Sequence, residues 1–88
     1  PQFNVTLENR FAWGEIQMHI NSREGVITEA KLFSDAMDTE FIEKLTPYLI
    51  GAAYSSAEMA QALSFVPVTE DQQEKLEDLC QWIGSLSL

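Results

Sequence analysis

Eighty-eight residues with 45% hydrophobic content are enough for one self-supporting core that needs neither disulfides nor a structural metal. Five Lys and Arg stand against fourteen Asp and Glu, a formal charge of -9 that opposes both a nucleic-acid backbone and an anionic membrane surface as partners. The one cysteine, Cys80, excludes an internal disulfide and suits a reducing compartment; with no apolar run near the roughly 20 residues that span a bilayer, a cytoplasmic protein is expected.

The chain opens on Pro1-Gln2 without an initiator Met. That start favours a fragment of a longer protein, although removal of Met before Pro leaves the same residue first. Phe3 to Leu7 alternates apolar and polar residues with period 2, the pattern of a strand with one buried face, and Glu8-Asn9-Arg10 is expected to end it. Phe11 and Trp13 then lie on odd positions, whereas Ile16, Met18 and Ile20 lie on even ones, so the apolar parity changes across Gly14. A bulge at Gly14 would restore a common face; the alternative is that Trp13 covers the opposite one. Asn21 to Gly25 reads as a hairpin loop, with Gly25 suited to a positive φ at its close. Val26 to Phe33 is the third predicted strand, with Val26, Thr28, Ala30 and Leu32 on one face.

Ser34 to Asp38 turns the chain into a helix, and Asp38 is the better N-cap because its short acceptor reaches the free amides of the first turn. Phe41, Ile42, Leu45 and Leu49 recur at helical spacing. Pro47 must end or kink this helix near Thr46, since it lacks a donor and clashes with the preceding turn, and Gly51 is a natural stop. A second helix is predicted from Ser55, where Ser55-Ser56-Ala57-Glu58 fits a capping box and Met59, Ala62 and Leu63 form the apolar stripe. Pro67 separates it from a third, which starts at the capping box Thr69-Glu70-Asp71-Gln72, carries Leu76, Leu79, Cys80 and Ile83 on one face, and closes at Gly84. Strands followed by helices predict an α+β fold, β-β-β-α-α-α: a three-stranded antiparallel meander with helices packed on one face.

Residues able to carry chemistry are few. His19 is the one histidine and has no second His or Cys nearby in sequence, so it reads as an ordinary sheet-surface side chain rather than a metal ligand. Cys80 shares the spacing of Leu76 and Ile83 and reads as a small core hydrophobe. Asp35, Asp38 and Glu40 are explained by helix entry and first-turn carboxylates without invoking acid-base catalysis. The four glycines are isolated, which excludes a glycine-rich phosphate loop. No catalytic, cofactor-binding or metal-binding residue is assigned. Trp13, Trp82 and Phe33 are the large aromatics to be shared between core and interface.

Arg10-Phe11-Ala12-Trp13-Gly14-Glu15-Ile16-Gln17-Met18-His19-Ile20, then Gly25 to Ala36 through Phe33-Ser34-Asp35, then Leu49-Ile50-Gly51-Ala52-Ala53-Tyr54, resembles in this order and spacing the C-terminal accessory domain of bacterial lipoate-protein ligases. The resemblance covers nearly the whole chain. It implies one accessory domain over residues 1–88, with the catalytic domain absent. Ligases of this family activate lipoate with ATP and Mg to lipoyl-AMP, then transfer the lipoyl group to a lysine of acceptor proteins, the lipoyl domains of 2-oxoacid dehydrogenase complexes or the glycine-cleavage carrier protein. Their catalytic machinery lies in a large N-terminal domain, in the same chain or a separate subunit, against which the small domain packs and reorients. The implied partners are therefore that catalytic domain and, indirectly, lipoyl-domain acceptors, with no cofactor bound by this domain. The fold is similar to that of iron-sulfur scaffold proteins, but Cys80 does not match their ligating cysteines. Under the resemblance Phe33, Ser34 and Asp35, followed by Trp13 and Gly14, are candidates for interdomain contact; for Ser34 and Asp35 helix entry is an equally good reading. A free-standing binding or regulatory module is the alternative.

Overall fold

The computed structural model describes residues 3–88, so the Pro1-Gln2 start lies outside the described residues. Three strands, β1 (Val5–Phe11), β2 (Gly14–Arg23) and β3 (Val26–Ser34), form one antiparallel sheet in the order β1-β2-β3. Helices α1 (Thr39–Glu43), α2 (Thr46–Leu49), α3 (Ser56–Ser64) and α4 (Glu70–Ser85) follow. The expected β-β-β-α-α-α order holds, with the first helical stretch divided in two. Lys44 and Leu45 separate α1 from α2, and Pro47 sits in the first turn of α2, where its missing N–H and fixed φ are tolerated.

The parity change around Gly14 has a different origin from the bulge expected there. Phe11 pairs directly with Gly14, so Ala12-Trp13 is a two-residue turn and Gly14 is the first residue of β2. Phe11 and Ile16 belong to different strands, and antiparallel pairing of Asn9 with Ile16 and Leu7 with Met18 puts odd residues of β1 on the same face as even residues of β2. Glu8-Asn9-Arg10 therefore continues β1 instead of ending it: Glu8 and Arg10 lie on its wet face, and Asn9, on the core side opposite Ile16, is only partly buried on this edge strand. The irregularity lies instead in β3. Asn21 pairs with Glu29 and Ser22 with Ile27, which leaves Thr28 as the extra residue, and its hydroxyl donates to the Asn21 carbonyl at 3.3 Å. This bulge reverses the face of Ile27: it is buried, Val26 is exposed, and Ala30 and Leu32 beyond the bulge pack toward the core. The predicted even face of the third strand is thus correct only after Thr28. The second turn is shorter than the expected loop, with Glu24 and Gly25 both at positive φ between Arg23 and Val26.

Every helix lies on one side of the sheet. Ile16, Met18 and Ile20 of the central strand are 0% exposed and form one cluster with Phe41, Leu45, Leu49, Met59, Leu63, Leu76, Leu79 and Ile83. Caps occur where the sequence places them: Asp38 accepts from the Phe41 amide at 3.0 Å and Ser55 from the Glu58 amide at 3.1 Å. At α4 the Thr69 amide donates to Gln72 Oε1 at 3.1 Å. Gly84 lies inside the last turn of α4 rather than beyond it, with Ala60 of α3 close by, and the helix ends one residue later.

Gln72 is a buried polar residue, 3% exposed, and it ties the helices together. Its Oε1 also accepts from Lys44 Nζ at 2.8 Å, and its Nε2 donates to Asp38 Oδ2 at 3.1 Å. The N-cap of α1 is thereby joined to the N-terminus of α4. The Phe41 amide, then the Gln72 amide, hold the Asp38 carboxyl below its ordinary value against a desolvation cost smaller than either, and Lys75 and Lys44 add weaker charge attraction. A depressed folded-state value means that this contribution is complete above the unfolded carboxylate range and is lost as pH falls through the lower, folded one. In urea titrations at a series of pH values, Asp38→Asn is expected to lose less stability than the wild type on acidification below the ordinary aspartate value, so the difference between the two shrinks.

Gly14 has φ +143°, and a Cβ built on it would lie 2.9 Å from the Ala36 Cα. The obstacle is backbone, which cannot rotate away as a side chain could. Gly25, at φ +78°, has nothing within 4 Å of an added Cβ. Gly14→Ala is therefore expected to cost more than Gly25→Ala, by at least about 1 kcal/mol, in paired denaturant melts.

Candidate functional site

At the end of the sheet nearest the Ala12-Trp13 turn, β3 leaves its partner and the chain passes through Asp35–Asp38 into α1. Polar side chains of that exit clamp the start of β2. Ser34 Oγ donates to the Glu15 carbonyl at 2.5 Å and accepts from the Ala36 amide at 3.0 Å. Asp35 Oδ1 accepts from the Glu15 amide at 2.8 Å, and Arg10 lies within 3.9 Å of the Asp35 carboxylate and 3.7 Å of that of Glu15. With Ala36 pressed on Gly14, these bonds hold the exit segment in one shape. Ser34 and Asp35 do more than enter a helix: the cap is Asp38, and they fasten the sheet end that precedes it.

Two apolar side chains flank this clamp without sharing in it. Phe33 projects from the uncovered sheet face and is 52% exposed; Met37, in the exit segment, is 96% exposed. Its aromatic character and the family resemblance singled out Phe33 in the sequence, whereas Met37 was missed because it lies outside any strand or helix where a pattern could mark it.

The other two expected contact residues divide. Gly14 serves the Ala36 approach. Trp13 is half-buried and packs against the helical side, where its indole Nε1 donates to Asp78 Oδ2 at 3.0 Å. It stacks on Phe11 at 4.7 Å between centroids and meets Phe41 edge-on at 5.8 Å, while Phe11 meets Trp82 edge-on, also at 5.8 Å. Trp13 and Trp82 thus complete the core at one end, and Phe33 alone of the three aromatics stands on the free face.

That face has its own order. Thr6, Glu8 and Arg10 of β1, Glu15, Gln17 and His19 of β2, and Lys31 and Phe33 of β3 alternate away from the core. The Gln17 amide donates to Glu8 Oε1 at 2.8 Å, and its Oε1 accepts from His19 Nε2 at 2.9 Å. With Nε2 donating, neutral His19 uses Nδ1 to accept from the Thr6 hydroxyl at 3.2 Å. The imidazole also lies between Phe3, 5.7 Å away, and the edge of Phe33, 5.4 Å away.

Cys80 is half-buried and its thiol is pushed up by desolvation, which lowers its reactivity. Among the described residues no group of three or more His, Cys, Asp or Glu is placed to hold a metal ion, and no helix is long and apolar enough to cross a membrane. A second apolar surface lies on the helical side, where Tyr48, Ile50 and Phe65 border an open groove of about 630 Å³.

Comparison with known proteins adds the following. A family model described as the C-terminus of bacterial lipoate protein ligase matches residues 1–83. Lipoate-protein ligase A of Blochmanniella floridana is 28% identical over 83 residues, 94% of this chain and 25% of its own length. The crystal structure of P. falciparum LipL1 in complex with lipoate superposes with a TM-score of 0.83 at 22% identity, over 98% of this chain and 25% of that one. The chain therefore spans about a quarter of the length of these relatives.

The two groups of aromatics should separate in mutagenesis. Trp13→Ala removes ring packing and the Asp78 bond and is expected to destabilise the domain by roughly 3 kcal/mol, whereas Phe33→Ala, on a half-solvated site, should stay within about 1 kcal/mol of wild type. Thermal melts of both variants check this.

Proposed function

The chain belongs to the bacterial lipoate protein ligase C-terminus family, and from that premise we propose that it acts as the accessory domain of a lipoate-protein ligase, docking on a larger catalytic part and orienting it. The reaction served is the ATP-dependent activation of lipoate to lipoyl-AMP and transfer of the lipoyl group to a lysine of an acceptor protein. The observation that carries this reading is the family match over residues 1–83, in a chain that spans only a quarter of its relatives.

The chemistry of the domain supports an accessory role. Its best-placed carboxylates are already engaged: Asp35 with the Glu15 amide and Arg10, Asp38 with the Phe41 and Gln72 amides. These side chains do not fit a site for the Mg²⁺ and ATP of the reaction, so both fall to the larger part, together with lipoate. What the domain offers instead is a rigid sheet end. Ser34, Asp35 and Gly14 hold its shape, Trp13 anchors it to the helices, and Phe33 is the member of the set free to touch another surface.

The reading is tested by adding the 88-residue chain in trans to the catalytic part of a lipoate-protein ligase that lacks this domain, and following lipoate-dependent exchange of pyrophosphate into ATP. A saturable rise in exchange is expected, with no exchange by the chain alone. An unchanged rate at all concentrations would sink the proposal.

A further inference from the structure

We infer that the uncovered sheet face, from Phe3 and His19 to Phe33, together with the exposed Met37 of the exit segment beyond the sheet end, is the surface on which the larger ligase part seats; this rests on the accessory-domain reading and specifies which of two apolar surfaces it uses. The first argument is the place where the rest of such a ligase joins. In relatives this domain is the C-terminal quarter, so about three quarters of their length reaches it through the residues before β1. Of these, Phe3 and Asn4 are held to the uncovered face. The Asn4 amide donates to Asn21 Oδ1 at 2.7 Å, and Asn4 Oδ1 accepts from the Ser22 amide at 3.1 Å. Phe3 continues over the sheet onto His19. A partner attached at that point is delivered beside this face at high effective concentration, an advantage that falls with distance from the junction.

Solvation supplies the second argument. Covering polar groups is costly when they lose water without gaining partners. Here Gln17 and both nitrogens of His19 already have partners within the domain. Phe33 and Met37 add apolar surface now in water, Phe33 beside and Met37 within an exit segment whose shape is set by Ser34, Asp35 and Gly14. An apolar patch beside Gln17 and His19, which are already paired, has the composition of an interface core, with the charge of Lys31 on the same face left for the partner to meet. The occupant is the larger ligase part, presenting apolar side chains to Phe33 and Met37.

Hydroxyl-radical footprinting compares the isolated chain with the intact ligase that carries this domain, reading Phe33 and Met37 against Tyr48 and Phe65 of the helical groove. Phe33 and Met37 are expected to be labelled roughly fivefold less in the intact ligase, with Tyr48 and Phe65 unchanged. In the same ligase Phe33→Asp should lower lipoate-dependent pyrophosphate exchange about tenfold while the domain's melting is retained, and Phe65→Asp should not. Protection of Tyr48 and Phe65 instead of Phe33 and Met37 overturns the assignment of the face but leaves the accessory reading standing. Protection of neither surface, with both variants fully active, overturns both.

Discussion

Burial of Ile16, Met18 and Ile20 on the central strand is the constraint from which the rest follows. Because side chains alternate along a strand, committing these three to a fully dry face commits Glu15, Gln17 and His19 to the opposite one. A three-stranded sheet with a short helical segment cannot cover both. All four helices go to the Ile16 side, and the other is left to a chain of hydrogen bonds and a few aromatic rings. The free face is thus a consequence of how the core is made.

The polar residues that matter most divide into two fastenings. Gln72 joins the cap of α1 to the first turn of α4, so the short, Pro-interrupted helices are positioned by a buried amide as well as by their own weak helicity. Ser34 and Asp35 do the equivalent work at the sheet end. Both sets lie along the passage from β3 into α1, which is why that passage can be extended and solvent-facing yet hold one conformation.

Membership of a ligase family gives these features a purpose that the domain alone does not declare. Asp35 and Asp38 are engaged with backbone amides, and the Cys80 thiol is half-buried. Phe33 and Met37 are exposed in different ways: one is held at the end of a regular strand, the other in a segment whose shape depends on the clamp beside it.

By itself the sequence determined the order of strands and helices, the caps at Asp38, Ser55 and Thr69, an interruption of the first helical stretch near Thr46, the apolar row of β2 and the family resemblance, because each of these is written in local spacing and in the chemistry of single residues. Only the tertiary structure decided where parity shifts. Nothing local distinguishes an extra residue at Gly14 from a turn at Ala12-Trp13, and the answer came from which strand Asn9 and Leu7 had to face. The bulge at Thr28 was hidden for the same reason: a β-branched residue in an apolar-polar alternation looks regular until its partner strand is present. Trp13 and Phe33 were equivalent aromatics in the sequence, and packing sent one against α4 and left the other on the free face. Met37 had no periodic neighbours to announce it, since exposure in an extended segment is a property of everything that fails to cover it.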